Sequence, residues 1–159
     1  MAMASFVLES SAFSHHQEIP SQYTCEGKNI SPPLQWKGEP ANTKSFAIIV
    51  DDPDAPDPAA PQRTWVHWVV LNLPADTHSL AEDIHSLPAR AKEGLNDWHA
   101  AKYQGPCPPI GRHHYHLKIY ALDGFISIEK PLDKKELEKA MNGHILAQAE
   151  LIGTYQKQH

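Results

Sequence analysis

From His114 to Leu122 polar and apolar positions alternate. Tyr115, Leu117, Ile119 and Ala121 fall on one side, and His114, His116, Lys118 and Tyr120 on the other. Side chains two apart share a strand face, so this pattern predicts a half-buried strand over 114–122. Two other stretches lack the alternation. Ser45 to Val50 is almost continuously apolar, and so is Trp65 to Leu73 apart from His67 and Asn72. Both are short and bounded by charge or proline. They predict strands over 45–51 and 65–73, the first covered on both faces, the second central and ending at Pro74. Phe6-Val7-Leu8 is a shorter strand-like run, and Leu34-Gln35-Trp36, entered through Ser31-Pro32-Pro33, reads as an edge strand. Ile145 to Tyr155 alternates well enough to favour a strand.

One helix stands out. Asp133 and Glu136 form a capping-box pattern that starts it at Lys134, and Leu137, Ala140 and Met141 give it an apolar face. Asn142-Gly143 stops it. Residues 75–88 carry weak helix or loop signals, and Asn96-Asp97 marks a turn in 89–104. Many short strands, 14 prolines and one clear helix predict a mostly β chain: a β-sandwich with one or two peripheral helices, one domain over 1–159.

Composition narrows the function. The net charge of −5 argues against a nucleic-acid binder, which carries a basic stripe. No apolar run approaches the roughly 20 residues that span a membrane. Met1 to Phe6 lacks the basic residues and apolar core of a secretory signal, so a cytoplasmic location is expected. Cys25 and Cys107 neither prove nor exclude a disulfide; in that compartment two thiols are the plainer reading, and their redox state is left open. Cys107 sits between prolines, not at a helix N-terminus that would activate it, so it is not expected to be a nucleophile.

The chemistry concentrates in two stretches. The first is Asp52-Pro53-Asp54-Ala55-Pro56, followed by Trp65-Val66-His67-Trp68. The second is Gly105-Pro106-Cys107-Pro108-Pro109, followed by Gly111-Arg112-His113-His114-Tyr115. Each reads as a proline-stiffened loop leading into a strand, with an i, i+2 pair at the strand mouth: Trp65 with His67, His113 with Tyr115. Asp and Pro also make turns for purely structural reasons, and a lone histidine in an apolar strand is usually a hydrogen-bonded core residue. Together, however, two imidazoles, a phenol, carboxylates and two aromatic walls outline a cleft for a small anion, with partly protonated histidines as donors. His114 and His116 lie on the opposite face and read as solvent-facing. His15 and His16 read as surface residues pointing apart on an extended segment. Asp52, Asp54, His67 and His113 are metal-capable side chains, but no metal-binding spacing accompanies them, so no metal and no cofactor are expected. No Gly-x-Ser-x-Gly elbow or phosphate-binding glycine loop is present, and no nucleophile has a base and an orienting third group. A catalytic role is not expected.

These two stretches resemble the signatures of the phosphatidylethanolamine-binding protein family, also called Raf kinase inhibitor-like proteins, in its bacterial and archaeal branch. Tyr23-Thr24-x-x-Gly27, Ser31-Pro32-Pro33-Leu34 and Gly143 to Tyr155 extend the resemblance over nearly the whole chain. It implies a large antiparallel β-sandwich and a pocket for phosphate-like groups. It assigns that pocket to Asp52, Asp54, Trp65, His67, Pro108, Pro109, His113 and Tyr115. It also implies a cis Ala55-Pro56 bond and spatial proximity of Cys25 and Cys107. His114 stands where relatives often carry arginine, and no extended helix follows Tyr155. The expected function is non-enzymatic binding of a small anionic, phosphate-like or phospholipid-headgroup-like ligand, with regulation of a partner protein. The alternative is a kinase or protease inhibitor acting by protein contact, and the remaining one a His/Asp-dependent hydrolase. A homodimer is left open.

Overall fold

The computed structural model describes residues 5–158. Of the N-terminal run discussed above, Met1 to Ala4 lie outside the described residues. The strands are β1 (Val7–Glu9), β2 (Gln17–Glu18), β3 (Leu34–Lys37), β4 (Ser45–Ala55), β5 (Arg63–Pro74), β6 (Ser79–Leu80), β7 (Lys92–Glu93), β8 (Arg112–Leu122) and β9 (Ile145–Gln156). One α-helix, α1 (Lys134–Met141), and a 3-10 turn at Ser21–Tyr23 complete the set. A six-stranded sheet runs β2-β9-β8-β4-β5-β7, and a three-stranded sheet runs β1-β3-β6. The chain is mostly β, as its patterning predicts. All pairings are antiparallel except the short β2–β9 pair. Leu34–Lys37 is the middle strand of the small sheet and not an edge, because β1 and β6 flank it.

Strand β4 explains the layering. It is covered on both faces, and its period of two splits its side chains between two cores. Phe46, Ile48 and Val50 join the core between the sheets, with Trp68, Tyr115, Leu117 and Ile119. Ala47 and Ile49 join a second core behind the large sheet, with Val69, Leu71, Tyr120 and the Leu137 and Met141 side chains of α1. Burying each of those two helix side chains contributes roughly 1.5–3 kcal/mol. The helix begins at Lys134 behind a complete capping box: Glu136 N–H donates to Asp133 Oδ1 at 2.8 Å, and Asp133 N–H to Glu136 Oε1 at 3.2 Å.

Two of the three breaks in the β4–β5 register set the facing of the core residues of β5. At Asn72 the backbone has φ +60°, and its side chain exchanges two 2.8 Å hydrogen bonds with the Ile126 backbone. This break returns Leu73 to the front core. The second break lies where Val50 pairs with Trp68 but Asp51 pairs with Val66. His67 is the extra residue. A bulge re-aims side chains, and this one puts His67 on the front face, although strict alternation from Trp68 would turn it to the back.

His15 and His16 do not point apart. Their rings lie 3.8 Å from each other, because His16 takes φ +68° and the segment is a turn. Among the described residues no helix is long and apolar enough to cross a membrane.

Candidate functional site

At the end of the large sheet where β4 finishes and β5 and β8 begin, a cavity of about 350 Å³ opens. Trp65 and His67 line it from β5, His113 and Tyr115 from β8, and Asp52 from β4. Pro108, Pro109 and Cys107 close one side, and Ala55-Pro56, whose peptide bond is cis, another. Of the eight residues expected here, Asp54 alone is not in the lining. The first signature is not a loop at this point, since β4 continues through Ala55. Its register shifts between Asp52 and Ala55, and Asp54 turns outward to accept from the backbone N–H of His114 at 2.8 Å and its ring at 3.0 Å.

His113 is 1% exposed and fully engaged. Its Nδ1 lies 2.5 Å from Asp52 Oδ2, and its Nε2 lies 2.8 Å from the Ile110 carbonyl and 3.1 Å from that of Pro56. Carbonyl oxygens only accept, so Nε2 carries a hydrogen. One further proton lies between Nδ1 and Oδ2, and the pair as a whole is neutral. Burial pushes the Asp52 carboxyl up, against the pull of hydrogen bonds from His113 and the Asp54 amide. His113 is therefore not the free donor to an anion that its sequence context suggests.

His67 is also not an imidazolium. Burial pulls its pKa down to about 4, and the backbone carbonyls at Gln104 and Gly105 do not restore it. Its Nδ1–H donates to the Gln104 carbonyl at 2.7 Å, so the lone pair of the neutral ring sits on Nε2. Among the described residues nothing bonds to that nitrogen. Tyr115 stacks against the His113 ring, centroids 6.3 Å apart, and meets the His67 ring edge-on at 5.3 Å. Burial, and then the Asp52 charge, raise its pKa far above the ordinary phenol value. Its hydroxyl stays a donor, and no described residue hydrogen-bonds to it.

The second wall is fastened from outside. Cys107 is disulfide-bonded to Cys25 with a Cα separation of 5.4 Å, which bears out the expected proximity, and Cys25 N–H donates to the Pro106 carbonyl at 3.0 Å. Gly105 packs so closely that a Cβ would stand 1.9 Å from the Tyr23 carbonyl oxygen. Tyr103 donates to that same oxygen at 2.7 Å.

Beyond the two signature stretches the lining takes in three further residues, Gln62, Arg63 and Trp98. Arg63 stands two residues before Trp65, so the strand period that picked out Trp65 and His67 extends to it. Trp98 comes from a turn built on buried Asn96, whose Oδ1 accepts from the N–H groups of Trp98 and Ala100 at 2.9 and 3.1 Å. Nothing in the local pattern marks Trp98 beyond the turn itself.

The family model for phosphatidylethanolamine-binding proteins matches residues 9–156. The chain belongs to the phosphatidylethanolamine-binding protein family. A UPF0098 protein of the archaeon Methanothermobacter thermautotrophicus is 44% identical over 153 residues, covering 94% of this chain and 98% of its relative. The crystal structure of a family homologue from Chlamydia trachomatis has a TM-score of 0.90 at 42% identity, covering 98% of this chain and 99% of the other. E. coli YbcL, described as a member of the mammalian family, gives 0.88 at 34% identity, with coverages of 98% and 100%. In this member of the family the pocket faces one end of the large sheet; the exposed Trp98 is part of its lining, and the exposed Ile110 follows the lining residue Pro109 in the chain.

Proposed function

We propose that this chain is a non-enzymatic binding module for a small oxyanion of the phosphate class, free or carried on a headgroup. The observation that supports it most is the division of labour among the pocket's polar groups. Asp52 and His113 satisfy each other and the backbone, leaving the Tyr115 hydroxyl as a donor and His67 Nε2 as an acceptor. A singly protonated phosphate matches both, its P–OH donating to His67 and an unprotonated oxygen accepting from Tyr115. The rigid proline walls supply a preformed cavity, which spares the ligand the cost of ordering it. A hydrolase is disfavoured because His113, the imidazole with a carboxylate beside it, has both nitrogens committed.

Titration with inorganic phosphate, followed through imidazole and tyrosine resonances, tests this reading. Selective shifts at His67 and Tyr115 are expected. Shifts confined to exposed histidines such as His85 would overturn it. A second reading, regulation of a partner protein, draws on the exposed apolar Trp98 of the lining and on the exposed Ile110 next to the lining residue Pro109. It predicts that a partner captured by the wild type is lost with Trp98→Ala. The disulfide favours an oxidising compartment over the cytoplasm, and thiol alkylation of protein taken from its native cells separates the two.

A further inference from the structure

Arg63 pairs with Ala55 across β4 and β5, and its guanidinium carbon lies 5.5 Å from the centre of the Trp65 ring. Both residues line the cavity. None of the ion pairs among the described residues includes Arg63. The other ionisable groups of the lining carry no net positive charge: Asp52 and His113 share a proton, and His67 is neutral. Trp98 meets Trp65 edge-on, with centroids 5.3 Å apart, and holds the indole on which Arg63 rests.

We infer that Arg63, and not either histidine, supplies the positive charge that retains the ligand's anionic group. The inference rests on the anion-binding reading above and assigns the charge within it. The physical case has three parts. A guanidinium stays charged at any physiological pH, unlike an imidazole. Its planar fork matches two oxygens of a phosphate or sulfate. Stacking on Trp65 orders the long side chain before the ligand arrives, so less freedom is lost on binding. The anion then sits between the guanidinium at the mouth and the Tyr115 hydroxyl within. Asp52 shares a proton with His113 and also accepts from the Asp54 amide, so the lining offers no unneutralised carboxylate to an ammonium group. The pocket selects the oxyanion itself and gains little from a neighbouring cationic substituent.

The test uses sulfate and inorganic phosphate, followed through the Trp65 indole and Tyr115 resonances, with Arg63→Gln and Arg63→Lys. Arg63→Gln is expected to weaken both anions at least about tenfold, the loss of one charge-assisted pair. Arg63→Lys, which restores the charge but neither the fork nor the stack on Trp65, is expected to recover only part of that affinity; a purely structural Arg63 predicts no recovery. Both variants should melt with the wild type. If the wild type binds neither anion in the pocket, the anion-binding reading falls and this inference with it. If the wild type binds and Arg63→Gln binds as well, the reading stands and this inference alone is overturned.

Discussion

Asp51 and Asp52 are adjacent in the chain and almost equally buried, yet they work in opposite ways. The period of two along β4 sends Asp51 to the back of the large sheet and Asp52 to the front. At the back, Asp51 Oδ2 receives two ammonium groups, Lys118 at 3.2 Å and Lys134 at 2.7 Å. At the front, Asp52 meets the His113 imidazole and no permanent cation. The lysines are partly exposed, at 27% and 21% of their side chains, whereas the His113 side chain is 1% exposed. The back arrangement is a clasp: Lys134 opens α1, so the pair fastens the helix to the sheet. The front arrangement is a neutral strut. It holds the mouths of β4 and β8 together without placing net charge in the cavity, which leaves the field there to Arg63. One dipeptide thus serves stability on one face and site geometry on the other.

The strut should be the more brittle of the two. His113→Ala removes the only partner that neutralises Asp52 and leaves the Ile110 and Pro56 carbonyls without their donor. Breaking a buried pair this way costs about 3–5 kcal/mol, read from urea unfolding. Asp52→Asn should cost only about 1 kcal/mol. Its oxygen still accepts from the Asp54 amide, and its NH₂ donates to Nδ1 of a His113 that keeps its hydrogen on Nε2. Equal losses in the two variants would break the proton-sharing picture.

The front face should also dominate the response to acid. His67 has a folded pKa of about 4 against an ordinary value of 6.5. Between these values the unfolded chain binds a proton that the fold excludes, so stability rises with pH. The contribution is complete above about pH 6.5 and is lost as pH falls toward 4, in total roughly 3 kcal/mol. Asp52, whose pKa is raised, acts in the opposite sense, so the measurement is the difference between wild type and His67→Asn. Asparagine can still donate to the Gln104 carbonyl but takes up no proton. Its unfolding free energy should fall less steeply from pH 6.5 to 4, and parallel slopes would show that His67 is not the group held neutral.

How far the pattern of the chain carries depends on where each interaction is encoded. Strands β4, β5 and β8 are long, and their periodicity or continuous apolarity is local, so they are legible. The same holds for α1, whose start is written in Asp133 and Glu136. The two-residue strands β6 and β7 are too short to show a period. The bulge at His67 is a property of the pairing between two strands and not of either one, so the facing of His67 came out right only because Trp65 was used as its reference. Asp54 reads like Asp52 in the chain. What separates them is a register shift and a hydrogen bond from His114, both tertiary. The opposite roles of Asp51 and Asp52 depend on Lys118 and Lys134, far away in sequence. Arg63 could have been found by carrying the strand period two residues further back.

The smallest effect belongs to the clasp. Lys134→Met removes one of two cations from Asp51 and leaves Lys118 in place, so the buried carboxylate keeps a partner. The methionine retains most of the apolar stem, and the helix cap, formed by Asp133 and Glu136, is untouched. A partly exposed ion pair contributes about 1 kcal/mol or less, and the loss should stay within that in urea unfolding. Phosphate-induced shifts at His67 and Tyr115 should be unchanged, because Asp51 and Asp52 share a backbone but no partner. A loss near that of His113→Ala would mean that Lys118 cannot hold Asp51 by itself. The back face would then be a second strut, with α1 depending on a single ammonium, and the contrast between the two carboxylates would fail.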